Sequence, residues 1–397
     1  MRIYVHDYAG HPFQVQLSRE LARRGHAVRH GYSSTNLTPQ GALARRDGDP
    51  ETFEPDPIAL DRPVDKSARK LTGLVRRRQS ERAYGRALVE HVGAFDPDVI
   101  LAANTPIDAL VPLQAWADRE GVRLVNWLQD ILSVGTDRFL RQAIPVVGGV
   151  VGRAYMARER RLLLAADAVV AITEGFRPLL REWGVAPSAI HVVENWAPLD
   201  EMPPRPKDNP WAQSLGLEDK RVALYAGTLG MKHNPELLLS LAQRLEADED
   251  ARVVVVSEGA GADWLRAQTP PPNLVLLPFQ AFDDLPDVHG TADVLVAILE
   301  PDAGVYSVPS KVLSYLCAAR PVLLAVPPEN LAAQIVQREE AGVVVPPNAP
   351  SAFGIEGERL LDAPDLRARM AARARAYAEE SFDIEAIGDR FETILAG

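Results

Sequence analysis

The chain has 397 residues, 47% of them apolar and 24% charged, and a formal net charge of −11. At about 100–200 residues per domain the length predicts two domains, and the composition excludes a disordered chain, a collagen and a coiled coil. The acidic balance argues against a nucleic-acid binder, while the single cysteine, Cys317, excludes an intrachain disulfide framework and all but excludes a cysteine-built metal site.

Residues 2–5 read as a buried strand, followed by a turn through Asp7, Gly10 and His11. Val15, Leu17, Leu21 and Ala22 then recur near helical spacing up to Gly25, a suitable helix stop, and residues 27–32 begin a second strand. Residues 36–65 are rich in Pro, Gly and Asp and read as an irregular excursion. A helix is expected over 66–94, strands at 98–102, 122–127 and 168–172, and a linker at 197–210, where Pro and Asp are dense. A second alternating series follows, with strands at 222–226, 251–256, 273–277, 294–298, 321–325 and 342–345. Helices are expected at 235–247, 262–268, 309–318, 329–338, 363–380 and 383–396. This alternation predicts two α/β domains with mostly parallel sheets, whose ligands bind beyond the strand carboxyl ends in a cleft between the domains.

Charge divides the same way. Residues 1–200 carry 26 Lys and Arg against 24 Asp and Glu, whereas residues 201–397 carry 17 against 30. Within 66–86, eight basic residues, Arg76, Arg77 and Arg78 among them, are interleaved with Leu71, Leu74, Val75 and Tyr84, with Glu81 the one acid. A basic helix with an apolar stripe reads as a surface for anionic lipid or for an anionic acceptor, and a solvated helix is the plain alternative. The apolar run at 143–151 ends before Arg153 and is too short to span a bilayer, and Asp7 interrupts any signal-peptide core. A cytoplasmic protein is expected, peripheral on the inner face of the plasma membrane.

Four segments fall at strand carboxyl ends of the second series. Gly227, Thr228 and Gly230 with Lys232 follow one strand and open a helix, which suits a diphosphate. Gly304, Val305, Tyr306 and Ser307 lie between a strand and a helix, with Pro309 suited to the first helical turn and Ser307 or Ser310 to its cap. Lys311 in that first turn opposes the helix dipole, a local misfit that an anionic ligand would relieve. Phe279 and Gln280 could read the edge of a base, and Glu258 completes the set. In the first half, Asp130 ends a strand as a candidate base or orienting group, and His11 sits in the first glycine turn. A helix cap and a structural histidine are the plain alternatives.

Taken together these motifs resemble the retaining, nucleotide-sugar-dependent glycosyltransferases of family 4. Gly10 and the stretch Leu21–Val28 are similar to that family's first glycine loop and helix end. Trp127-Leu128-Gln129-Asp130 and Val193-Glu194-Asn195-Trp196 look like its exopolysaccharide and O-antigen branch. Gly227-Thr228-Leu229-Gly230, Pro278-Phe279-Gln280, Pro309-Ser310-Lys311 and Ala319-Arg320-Pro321-Val322 look like its donor-domain motifs. Two usual glutamates are replaced by Tyr306 and Ser314, the usual arginine of the diphosphate loop by Thr228, and a frequent His-Asp pair by Gln129-Asp130.

The resemblance implies the GT-B fold, with two Rossmann-like domains facing a central cleft. Residues 1–198 would bind the acceptor through His11, Gln129 and Arg76–Arg78, residues 199–380 the donor, and 381–397 would pack back on the first domain. It further implies transfer from a nucleoside diphosphate sugar of the UDP type to a saccharide hydroxyl, with Lys232 and Lys311 neutralising the leaving diphosphate and no metal or other cofactor. A polyprenyl-diphosphate-linked acceptor in surface polysaccharide synthesis fits the basic helix. The competing readings are a nucleotide-sugar 2-epimerase, which needs paired carboxylates and histidines, and a non-catalytic nucleotide-sugar-binding homologue, which the lost glutamates suggest.

Overall fold

A computed structural model describes residues 1–35, 41–59, 71–143, 145–230, 233–301, 304 and 308–397, without the side chains of 71–75, 139, 142–143 and 145–147. Lys232, Val305, Tyr306, Ser307 and residues 66–70 of the basic helix lie outside these. The chain forms two units, Met1–Glu194 with Ile384–Gly397, and Asn195–Asp383.

The first unit runs β1 (Arg2–Asp7), α1 (Pro12–Arg23), β2 (Ala27–Ser33), β3 (Phe53–Ile58), α2 (Leu71–Phe95), β4 (Val99–Ala103), α3 (Ile107–Glu120), β5 (Arg123–Leu128), α4 (Leu132–Ala143), α5 (Pro145–Ala165), β6 (Ala168–Ala171), α6 (Arg177–Glu182) and β7 (Ile190–Val192). Its strands pair in parallel in the order β3-β2-β1-β4-β5-β6-β7. β1 and β4 are buried along almost their whole length, as expected of central strands with helices on both faces. β3 corrects the expectation of an irregular excursion over 36–65. Phe53 and Ile58 are fully buried at its ends, while Pro55 and Pro57, which disguise it as a loop, are tolerated because β3 is the sheet edge.

The second unit runs α7 (Pro210–Leu215), β8 (Arg221–Ala226), α8 (Glu236–Arg244), β9 (Ala251–Val256), α9 (Ala260–Ala267), β10 (Leu274–Leu277), α10 (Leu285–Thr291), β11 (Val294–Ile298), α11 (Lys311–Cys317), β12 (Val322–Ala325), α12 (Leu331–Arg338), β13 (Gly342–Val345), α13 (Pro350–Asp362) and α14 (Pro364–Ser381). The parallel order is β10-β9-β8-β11-β12-β13. α15 (Ile384–Ala396) belongs to the first unit, where Phe391 sets its ring 4.7 Å from that of Trp127 and Glu392 accepts from His26 at 2.7 Å.

The stretch 197–210 is not a free linker. Ala197, Met202 and Asn209 are buried in the second unit, and Arg320 donates to the carbonyls of Arg205 and Gly290. Asn209 caps α7 by accepting from Ala212 N at 3.0 Å, and its amide nitrogen reaches Asp287 O and Thr291 Oγ1, both at 3.1 Å. Asn209→Ala removes a cap and strands buried acceptors. It should cost about 2 kcal/mol, read as a lower urea midpoint with an unchanged slope.

Candidate active site

In the second unit the donor-type segments gather beyond the carboxyl ends of β8, β9, β10 and β11. Gly227 leaves β8 with φ +121°, a conformation that favours glycine, and Thr228 follows as an exposed residue. The turn is pinned from beneath, since Tyr225 Oη donates to Thr228 O at 2.9 Å and Leu229 N donates to Glu258 O at 3.1 Å. Gly230 N donates to His233 Nδ1 at 3.0 Å. Glu258 itself is exposed beyond β9.

Lys311 reaches into this turn from the start of α11. A Cβ added at Gly227 would lie 3.2 Å from Lys311 Nζ, so a side chain there would displace the ammonium. Nζ stands 3.6 Å from the centroid of the Tyr225 ring. Lys311 is half-buried as a residue, and its Nζ is buried without a hydrogen-bond partner among the described residues. Burial holds its pKa well below the usual lysine value. His289, on α10, is kept neutral by burial and by the nearby Lys311 charge, which push its pKa down to about 4. Tyr315 on α11 packs edge-on against the His289 ring at 5.2 Å and anchors the end of β8 through Ala226 N and O at 3.0 and 3.1 Å. Gly304, with φ +47°, is tied by Asn330 Nδ2 to its carbonyl at 2.8 Å, and Asn330, fully buried, also caps α12.

Two details correct the expectations from sequence. Ser310 is exposed at the N-cap of α11 but makes no side-chain cap, and the helix starts at Lys311 rather than Pro309. Gln280 is half-buried and its amide is engaged, accepting from Trp211 Nε1 and donating to Pro278 O, both at 3.0 Å, beside half-buried Phe279. Ser314 faces partly outward on α11.

In the first unit, β1 delivers Asp7, fully buried, beneath the Gly10 turn, where Gly10 has φ +77°. Asp7 accepts from Ala9 N at 3.1 Å, from His11 N, and from His11 Nδ1 at 3.2 Å. In the orientation its neighbours demand, the Gln14 amide donates to both Asp7 oxygens at 2.8 and 2.6 Å and accepts from Gln129 Nε2 at 3.2 Å. Burial disfavours the Asp7 carboxylate, yet the His11 charge and hydrogen bonds outweigh it and hold the pKa low. The pKa of His11 is raised in turn, burial being outweighed by Asp7 and, further off, by Asp130. His11, Gln129 and Asp130 are thus brought to one locality.

Gln129 and Asp130 also line a pocket with Asn104, Thr105, Asn126 and Glu159. Asn104 is held at φ +47°, a strained value for a residue with a side chain. Glu159, which sequence reading missed, accepts from Leu132 N and Ser133 N at 3.2 and 3.1 Å and from Ser133 Oγ at 2.5 Å. Burial pushes its pKa up to about 7 against those bonds. Its sequence signal was hidden, because it stands among the arginines of α5.

The basic helix is less free than expected. Arg77 and Arg78 are engaged with buried Glu81 and Asp108 at 2.7 and 3.0 Å, while Arg76 is exposed. Among the described residues no group of three or more His, Cys, Asp or Glu side chains is placed to hold a metal, and no helix is long and apolar enough to cross a membrane.

Residues 11–196 match the model of a glycosyl transferase 4-like domain, and residues 208–377 that of glycosyl transferases group 1. The chain belongs to the family 4 glycosyltransferases. This transferase is 25% identical to the putative colanic acid biosynthesis glycosyl transferase WcaI of Escherichia coli over 76% of its own length and 75% of that protein. It is 28% identical to the probable glycosyltransferase WbjE of Pseudomonas aeruginosa over 67% and 65%. A match to the putative glycosyltransferase YtcC of Bacillus subtilis, 26% identical, spans 46% of the transferase and 47% of YtcC, about half its length. Among solved structures, Anabaena HepE in complex with UDP and glucose superposes with a TM-score of 0.71 at 17% identity, covering 100% of the transferase and 99% of HepE. Sucrose-phosphate synthase from Thermosynechococcus elongatus does so at 0.71 and 14%, over 99% and 98%. The two parallel sheets and these neighbours give the fold as GT-B.

Proposed function

We propose that the protein is a retaining glycosyltransferase that moves a sugar from a UDP-type nucleoside diphosphate sugar to a hydroxyl of a saccharide acceptor. The observation that carries this is the Lys311 amine at the Gly227 turn, buried and without a hydrogen-bond partner among the described residues. A cation in that state is costly unless a ligand supplies the counter-charge, and a diphosphate would do so. Lys311, with Lys232, stabilises charge developing on the leaving diphosphate, and neutral His289 keeps a second positive charge out of the same site. The assignment needs no metal and no further cofactor. Transfer with retention follows if the acceptor hydroxyl attacks from the face the diphosphate leaves, a phosphate oxygen taking its proton, with Asp130 and His11 orienting the acceptor. The likeness to WcaI, named for colanic acid biosynthesis, supports a role in surface polysaccharide synthesis, and the arginines of α2 and α5 support a lipid-diphosphate-linked acceptor at an anionic membrane face.

A thermal-shift series with UDP, GDP, ADP and TDP, without added metal, tests the donor site. UDP should give the largest shift, about 2.7 kcal/mol of stabilisation at a hundredfold its Kd, and Lys311→Ala should abolish it. No shift with any nucleotide would overturn the donor assignment and favour a homologue without transfer activity.

A further inference from the structure

Asp108 opens α3 and is 1% exposed, yet three arginines converge on it. Arg78 and Arg82, one turn apart on α2, approach with Nε at 3.0 and 3.4 Å, and Arg158 of α5 with Nη1 at 3.0 Å. Tyr155, one turn before Arg158, donates its hydroxyl at 3.0 Å. A single carboxylate therefore faces three guanidinium charges, and none of these arginines pairs with another acid among the described residues. Neighbouring Arg77 pairs with Glu81, which also acts electrostatically on Arg78, so the four arginines of this cluster face two carboxylates and an excess of two positive charges remains. The three arginine side chains are 35%, 53% and 32% exposed, so each keeps N–H groups toward solvent while Asp108 holds the inner edge. Holding three like charges this close is unfavourable without a further anion. The planar donor forks match a phosphate with several oxygens better than a monovalent carboxylate.

A second feature lies beside the fork. Val150, at 60% exposure, is the most exposed of the large hydrophobic residues described, and it shares a face of α5 with Arg158, two helical turns away. An anion carrying an apolar chain would meet both features.

We propose that Arg78, Arg82 and Arg158, organised by Asp108, form the binding site for the diphosphate of an isoprenyl-diphosphate-linked acceptor, whose chain runs past Val150. This rests on the lipid-linked acceptor named above, and it assigns the anchoring to this fork rather than to the whole basic helix. Inorganic pyrophosphate and geranyl diphosphate are the probes, titrated into the full chain while the arginine Nε–Hε resonances are followed by NMR. That readout needs no sugar transfer and separates the fork from the donor site. The expected result is a shift of the Arg78, Arg82 and Arg158 signals by both probes, with tighter binding of geranyl diphosphate. Arg82→Gln with Arg158→Gln should weaken both at least tenfold, and Val150→Asp should remove only the advantage of the geranyl compound. Arg82→Lys with Arg158→Lys keeps the charge and controls for folding, and should retain part of the affinity.

Unmoved fork signals, or equal affinity in the double glutamine variant, would overturn the proposal. So would a double variant that loses phosphatidylglycerol vesicles but keeps geranyl diphosphate, because the fork would then read lipid headgroups. If the fork behaves as expected but no sugar reaches a diphosphate-linked acceptor, the site stands and the functional reading falls.

Discussion

Replacing Lys311 with methionine should lower kcat/KM by about 10²–10³-fold, the usual loss when one charged donor to a developing anion is removed. The ligand-free protein should at the same time become more stable. Lys311 Nζ is buried against the Tyr225 ring with no hydrogen-bond partner among the described residues, and methionine fills similar space without a polar group to bury. The sign of the pH dependence follows. Burial lowers the folded-state pKa, so between that value and the unfolded value of about 10.4 the unfolded chain binds more protons, and wild-type stability rises with pH through that window. Lys311→Met should lose this slope, be more stable on the acid side, and show no stabilisation by UDP. Urea unfolding at a series of pH values, with initial rates at saturating acceptor, reads all three. A variant that is less stable yet keeps its activity would remove Lys311 from the donor site.

Asp7→Asn should be the most damaging single change in the first unit. The carboxylate is fully buried and accepts from Ala9 N, His11 N, His11 Nδ1 and Gln14. An amide in its place turns an NH2 group toward a buried donor, which should cost about 3 kcal/mol. Asp7 has a depressed folded pKa, so its contribution is present above its unfolded value of about 3.9 and is lost as pH falls below it. His11 has a raised folded pKa, so its contribution is present below about 6.5 and is lost as pH rises through the folded value. The pair therefore stabilises most between those limits. The variant should flatten the stability profile on both sides. Its turnover should fall on the order of 10²-fold through misplacement of His11 and Gln129, with UDP affinity unchanged because Lys311 lies in the other unit. A pH profile of urea midpoints parallel to wild type would refute the role of Asp7.

How far the site was legible depended on the kind of signal. Gly227, Gly304 and Lys311 could be read because a glycine after a strand, and a cation in a first helical turn, are local anomalies that need no knowledge of neighbours. Asp108, Glu159 and Asn330 could not. Each is an acid or amide whose significance lies in partners 26 to 50 residues away in sequence, such as Arg82, Arg158, Ser133 and Gly304. The engagement of Gln280 was hidden for the same reason, since nothing near it in the sequence announces Trp211 as a partner of its amide. β3 was missed because Pro55 and Pro57 carry loop signals, and only its position at the sheet edge makes them harmless.

From the sequence alone came the alternation of buried strands and amphipathic helices, and with it two parallel α/β units, because periodicity and turn chemistry act over a few residues. The order of the motifs along the chain further carried the family. Tertiary structure alone decided which charges are balanced. It buried Lys311 Nζ without a hydrogen-bond partner among the described residues, set three arginines on the one carboxylate of Asp108, and enclosed Asp7 beneath the Gly10 turn. Burial and counter-charge depend on distances between segments far apart in the chain, and those distances exist only once the sheets have assembled.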